Sequence, residues 1–335
     1  MSDQAARLRE IANQRDAGSE AKPKQAAGVS VGPSNREENP SIRAGRVSFA
    51  PSGNRQMSQN QNAPRLANAI AIVSGKGGVG KSNIAANLAA TMSLMGRRVA
   101  LLDADLGCAN ADLLCGLGTP RATLQDVIFG RKRLSEVMLK APGGFRLIPG
   151  ASGVAKIANL NALQRHAILH QLTALDRVLD TLFIDIGAGI GPDVVGFASA
   201  ADTVLVVSTP EPTAMTDAYG AIKSICARTN ASDVRLVVNM AGSEEEGLAV
   251  HKRIDLVARK HLKRAIPLSG IIPFDFSVVS AVKRRNLLFR EAPESGAMQS
   301  IRAIAHSLDS ISPDLERNGR KGGFLERVLQ RFRLG

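Results

Sequence analysis

Residues 74–83 read "SGKGGVGKSN". Within them, Gly75–Ser82 fits the spacing GxxxxGK[ST] of a phosphate-binding loop. Ahead lies the short apolar run Ala69–Val73, and behind it a helix-forming stretch from Asn83 to Gly96. A strand that turns through glycines into a helix is the setting this pattern needs. Glycines let backbone N–H groups face phosphate oxygens, and the helix N-terminus adds positive potential. Gly75, Gly77, Gly78, Val79, Gly80 and Asn83 are therefore expected along the phosphates. Lys81 is expected at the β- and γ-phosphates, and the Ser82 hydroxyl on Mg2+. The loop also holds Lys76, a second lysine that a single phosphate-binding loop does not require.

Outward from the loop, short β-branched runs end in Gly, Pro, Asp or Ser: "RVALLDAD", "FRLIPG", "TLFIDIGAG", "DTVLVVSTP", "VRLVVNMAG" and "PLSGIIP". Together with "AIAIVSG" they read as seven buried strands. Helical stretches such as Ala162–Leu179 and Met215–Arg228 alternate with them. This alternation predicts an α/β fold, a mainly parallel Rossmann-like sheet with helices on both faces.

Two strand ends carry carboxylates. "TLFIDIGAG" places Asp185 at the end of a buried strand before the glycine-rich turn Gly187–Gly189, like a Walker B aspartate leading into a γ-phosphate sensing loop. "LLDADLGCAN" places Asp103 and Asp105 two apart, on the same side of an extended chain. One of the two could hold a metal-bound water while the other orients the attacking water. A guanine-reading Asn-Lys-x-Asp is missing where the strand ends "VVNMAG"; Asn239 is there without Lys or Asp, which favours adenine.

The chain of 335 residues has a net charge of +13, compatible with nucleic acid, anionic membrane or phosphorylated ligands. It has no Trp and a single Tyr, which argues against a base-stacking platform for single strands. Cys108, Cys115 and Cys226 form no CxxC pair, as expected of reduced thiols in a cytoplasmic protein. The polar start is not expected to be a signal peptide, and no apolar run is long enough to span a membrane.

The ends have their own texture. Residues 1–16 read as a short helix capped by Ser2 or Asp3, and residues 17–64 as a disordered linker rich in Gln, Asn, Ser, Gly and Arg. A domain is expected over 65–310, then 311–335 as a polar hinge and a terminal helix, "FLERVLQRFRLG". On that helix Phe324, Leu325, Val328, Leu329 and Phe332 share one arc bordered by Arg327 and Arg331, the pattern of an interfacial amphipathic helix. A detachable tail that binds weakly alone and strongly as a pair is expected.

These motifs resemble one family. "KGGVGKS" is similar to the deviant Walker A of the MinD/ParA ATPases, "DADLGCANAD" to their switch I and "DIGAG" to their switch II. "STPEPTAMTDAYGAIK", "IPFDFSVVSAV" and the N-terminal "DQAARLRE" resemble its FlhG (FleN) branch of flagellar-number regulators. The resemblance covers roughly residues 66–300 and both ends.

It implies an ATPase that uses ATP and Mg2+ and closes face to face as a homodimer. Lys76 would reach the partner's nucleotide. Asp105 would act on the hydrolytic water, and Asp103 and Asp185 would support Mg2+ and the switches. Asn239 and Pro273 would line the adenine pocket. Gln4 would act on an SRP-type flagellar GTPase (FlhF). Flagellar switch components and a flagellar transcription regulator would be further partners. The tail would place a cytoplasmic protein on the anionic inner membrane when ATP is bound. Many members carry Pro or Ala where this chain has Gly187.

Two other readings use the same fold. A DNA-partition ATPase would bind DNA through "HKRIDLVARKHLKR" or "VKRR" (282–285), but leaves the terminal helix unexplained, so DNA is not the expected partner. An iron–sulfur scaffold needs placed cysteine ligands, which Cys108, Cys115 and Cys226 do not supply in a matching spacing.

Overall fold

The strand that feeds the glycine loop, β1 (Asn68–Val73), turns Ala69, Ala71 and Val73 to one face and Ile70 and Ile72 to the other, all fully buried. A strand covered on both faces needs such an unbroken apolar run. The computed structural model describes residues 66–105, 110–150, 175–229, 232–316, 322–324 and 326–328.

Seven further strands join β1: β2 (Val99–Ala104), β3 (Leu139–Lys140), β4 (Arg146–Ile148), β5 (Thr181–Ile186), β6 (Thr203–Ser208), β7 (Asp233–Ala241) and β8 (Leu268–Pro273). They form one sheet in the order β3-β4-β2-β5-β1-β6-β7-β8. Every pairing is parallel except that of β3 with β4. The mainly parallel α/β sheet expected from the alternation is present, with the seven expected strands. Strand β3 escaped the reading because two residues carry no period.

Helices α1 (Lys81–Leu94) and α6 (Gly296–Glu316) cover one face with Ile84, Leu88, Ile301 and Ile304. Helices α2 (Pro192–Ala200), α3 (Pro212–Arg228) and α4 (Glu244–Leu262) cover the other with Phe197, Ile222, Ile225 and Ile254. Helix α5 (Phe276–Lys283) follows β8. Because β1 lies between β5 and β6, the loops after β1, β2 and β5 converge at the carboxyl edge of the sheet, where ligands bind in open α/β sheets.

The chain's end departs from expectation. Helix α6 runs to Glu316, past the domain end expected at residue 310. Phe324 and Val328 are fully buried, in the same cluster as Leu175, Leu179, Ala200 and Ala201. Arg327 donates to the carbonyls of Ala200 (2.8 Å) and Gly322 (3.0 Å) and to Asp202 Oδ1 (2.9 Å). At Gly323 the chain passes so close to the Asp176 carboxylate that no side chain fits there. The expected free apolar arc is therefore corrected for these two residues: the domain's own core covers them. An apolar stripe meets core or lipid with the same pattern, so sequence did not distinguish the two. The other tail residues singled out, Leu325, Leu329 and Phe332, lie outside the described residues. So do the N-terminal block with Gln4, the expected linker over 17–64, and Cys108.

Candidate nucleotide site

The loop after β1 enters α1 through Gly80, whose φ of 87° is left-handed and favours glycine. A side chain at Gly80 would also strike Asn239, whose Nδ2 donates to the carbonyl of Val79 at 2.8 Å. No side chain caps α1, so its first N–H groups remain available to an anion. Asn239 is buried and so ties strand β7 to the phosphate loop. Pro273 pairs with Ala241 across β7 and β8, which puts it beside the same strand end.

Lys81 and Asp185 are both buried, and Lys81 Nζ lies 2.7 Å from Asp185 Oδ1. The ammonium is also 3.4 Å from Ser82 Oγ. Asp103 sits directly across from Asp185 in the parallel register of β2 and β5. Its carboxylate accepts from the Asp105 N–H (3.2 Å) and the Ala111 N–H (3.1 Å). Burial pushes the Asp103 acid up to about 6; those two bonds oppose the rise, and the neighbouring Asp185 adds to it.

Asp105 lies against switch II. A Cβ at Gly187 would stand 3.2 Å from Asp105 Oδ1, tight enough to push it. The Gly189 N–H donates to the Ser74 carbonyl at 2.9 Å, which ties switch II to the start of the phosphate loop. The structure thus gathers Lys81, Ser82, Asp103, Asp105 and Asp185 into one centre. Mg2+ commonly takes one or two protein groups and completes its shell with water and phosphate. A serine hydroxyl beside two strand-end carboxylates fits that demand.

Lys76 is not part of this centre. Its Nζ donates to Glu211 Oε2 (2.5 Å) and Thr213 Oγ1 (3.2 Å) at the start of α3. It remains 41% exposed, so this lysine faces outward, held by its own chain. Sequence reasoning named neither Glu211 nor Thr213 as its partners. Met240 at φ 58° and Phe274 were missed too; both are exposed at the rim beside Asn239 and Pro273. No pattern singles out residues whose role depends on where two loops meet.

A family model described as ParA, NUBPL iron-transfer P-loop NTPase, matches residues 65–309. The chain belongs to the ParA family. It is a P-loop ATPase of the MinD/ParA type, as its motifs imply. It is 41% identical over 261 residues to the antiactivator FleN of Pseudomonas aeruginosa, covering 78% of this chain and 93% of that one. To the flagellum site-determining protein YlxH of Helicobacter pylori it is 35% identical over 269 residues, covering 78% and 89%. The MinC:MinD cell division protein complex of Aquifex aeolicus has the same fold, with 25% identity, a TM-score of 0.59, and 77% and 100% coverage. Within the family this chain is therefore similar to an antiactivator and to a flagellum site-determining protein. Among the described residues no three His, Cys, Asp or Glu side chains could hold a metal together, and Cys115 is buried with its thiol pushed up to about 12 by burial. No described helix is long and apolar enough to cross a membrane.

Proposed function

We propose that this ParA-family ATPase is a nucleotide-driven dimerisation and membrane switch that regulates flagellar number or placement. Its substrate is ATP with Mg2+. Ser82, Asp103 and Asp185 would hold Mg2+, directly or through water, and the bound ion supplies charge neutralisation between phosphates. Lys81 leaves Asp185 for the phosphate oxygens. Asp105 orients the attacking water. Asn239 and Pro273 receive the adenine. The 35% identity to a flagellum site-determining protein supports the flagellar setting, and the 41% identity to the antiactivator FleN a regulatory one.

The observation that carries the switch is the outward position of Lys76, away from its own Lys81–Asp185 centre. A cation turned outward supports a role on a neighbouring chain's phosphates, as an arginine finger is supplied in trans. Closure of two chains must exchange the Glu211 contact for that one. Titrating Lys76→Ala with wild-type protein tests this. Turnover should depend on wild-type chains donating the lysine, and an inactive mixture of unaltered affinity would contradict the reading.

The tail supplies the membrane step. Undocking Phe324 and Val328 forfeits roughly 1.5–3 kcal/mol each. One tail gains no more than this at a lipid surface and also gives up the Arg327 contacts to Ala200 and Asp202, so docking wins in a single chain. Two tails on a dimer make the second contact intramolecular and add about 10²–10⁴ in avidity. Residues 1–16, with Gln4, would stimulate the flagellar GTPase FlhF; a peptide of those residues that leaves its turnover unchanged would remove this part. Flagellar switch components and a flagellar transcription regulator are the further partners under this reading.

A further inference from the structure

Helix α4 carries an unusual solvent face. Gly247, Val250, Ile254 and Ala258 are its buried side. On the opposite side Leu256 is 66% exposed. Its helical neighbours at i−4, i−3, i+3 and i+4 are Lys252, Arg253, Arg259 and Lys260, and Lys263 follows at i+7, all exposed. A leucine with four cations as helical neighbours, and a fifth at the helix end, is not a core position.

Acidic groups offset only part of this charge, that of Arg259. Asp255, on the same helix, is turned to Arg259 Nε (2.6 Å) and the Ile266 N–H (2.8 Å). Glu244, Glu245 and Glu246 lie at the other end, ten to twelve residues before Leu256, about 15 Å or more along the axis.

The face also has a position in the fold. Helix α4 links the end of β7 to the start of β8, so its C-terminal half lies at the sheet edge opposite the nucleotide. The docked tail holds Ala200 and Asp202, just ahead of β6, on that same edge. Ser232 Oγ donates to the Ala201 carbonyl at 2.8 Å, and Arg264, just past α4, donates to the Ser232 carbonyl. Tail and basic helix end are therefore joined by one chain of hydrogen bonds.

We propose that the solvent face of α4 centred on Leu256 is a second contact site for an anionic lipid surface. The inference rests on the membrane role proposed for this chain, but on different residues. Lysine and arginine stems lie along the headgroups with their charges at the phosphates, while an apolar residue between them enters the acyl boundary. Duplex DNA would engage the cations but leave Leu256 in water. An apolar protein groove would bury the leucine at the expense of its cations.

Flotation of the full chain with Mg–ATP on phosphatidylcholine vesicles, with and without one-third phosphatidylglycerol, tests the site. The triple variant Lys252→Glu, Lys260→Glu, Lys263→Glu should lose at least about a hundredfold in partition onto anionic vesicles, at about fivefold for each lysine removed. Leu256→Ser should lose about five- to tenfold. Basal ATP turnover should be unchanged in both. A second variant, Leu329→Glu with Phe332→Glu, separates the tail. If the tail variant loses flotation while the triple variant keeps it, the α4 site is wrong and the tail stands. If the triple variant alone loses it, the tail reading falls and the α4 site stands. Wild-type protein that never floats overturns both. Unchanged partition of Leu256→Ser, or a triple variant that loses only duplex DNA binding, also overturns the site.

Discussion

Lys81 and Asp185 form a buried ion pair, Nζ to Oδ1 at 2.7 Å, between the phosphate loop and the end of β5. The lysine proposed to meet phosphate is thus parked on the carboxylate proposed to meet Mg2+, and each neutralises the other. Removing one partner leaves a buried charge, at a cost of about 3–5 kcal/mol. Lys81→Ala should therefore lower unfolding stability by about that much and abolish nucleotide binding. Adding Asp185→Asn should restore most of the stability and none of the binding. Chemical denaturation with and without Mg–ATP checks both: wild type should gain about 2.7 kcal/mol at a hundred times Kd, and the variants nothing.

The Lys76–Glu211 pair is exposed on both sides, so it contributes no more than about 1 kcal/mol to stability. Lys76→Ala should leave unfolding and ATP affinity nearly unchanged and lower turnover about a hundredfold. Glu211→Ala releases the lysine, so turnover should reach its plateau at lower protein concentration than in wild type. Rates measured across a protein dilution series decide this.

Gly187 leaves room for Asp105. A methyl group there, 3.2 Å from Oδ1, has to displace the carboxylate by a few tenths of an ångström. Small misplacement of a positioning group costs rate far more than binding. Gly187→Ala should slow single-turnover hydrolysis several-fold with ATP affinity within twofold; equal rates would show that Asp105 yields without consequence.

Burial raises the Asp176 acid from 3.8 to about 7; Arg327 opposes the rise, and Asp202 and Glu326 add to it. The folded state therefore holds a proton that the unfolded chain releases near pH 4. Stability from this group is full below about pH 4, falls as pH rises toward 7, and is level above that. The span is on the order of a few kcal/mol. Asp176→Asn should flatten the decline between pH 5 and 8 and exceed wild type in stability at pH 8. Denaturant titrations at these pH values read the slope directly.

Much of the centre was legible because its residues end buried strands. Asp103, Asp185 and the glycine loop each follow an apolar run, and the run fixes which edge they occupy. Their meeting follows from a parallel sheet with β1 in the middle. The cis partner of Lys76 was not legible, since Glu211 is brought to it by the turn after β6. Docking of Phe324 and Val328 was not legible either, because amphipathicity specifies an apolar face without naming what covers it. Leu256 escaped for the converse reason. Its cations dominate the local sequence, and only the phase set by Gly247, Val250 and Ile254 shows that the leucine points outward with them.

Light scattering of Asp105→Ala with Mg–ATP tests the switch most directly. Impaired hydrolysis should hold the closed state, so the account predicts particles of two chains with ATP and of one chain with ADP. Single chains under both nucleotides, with ATP demonstrably bound, would contradict it.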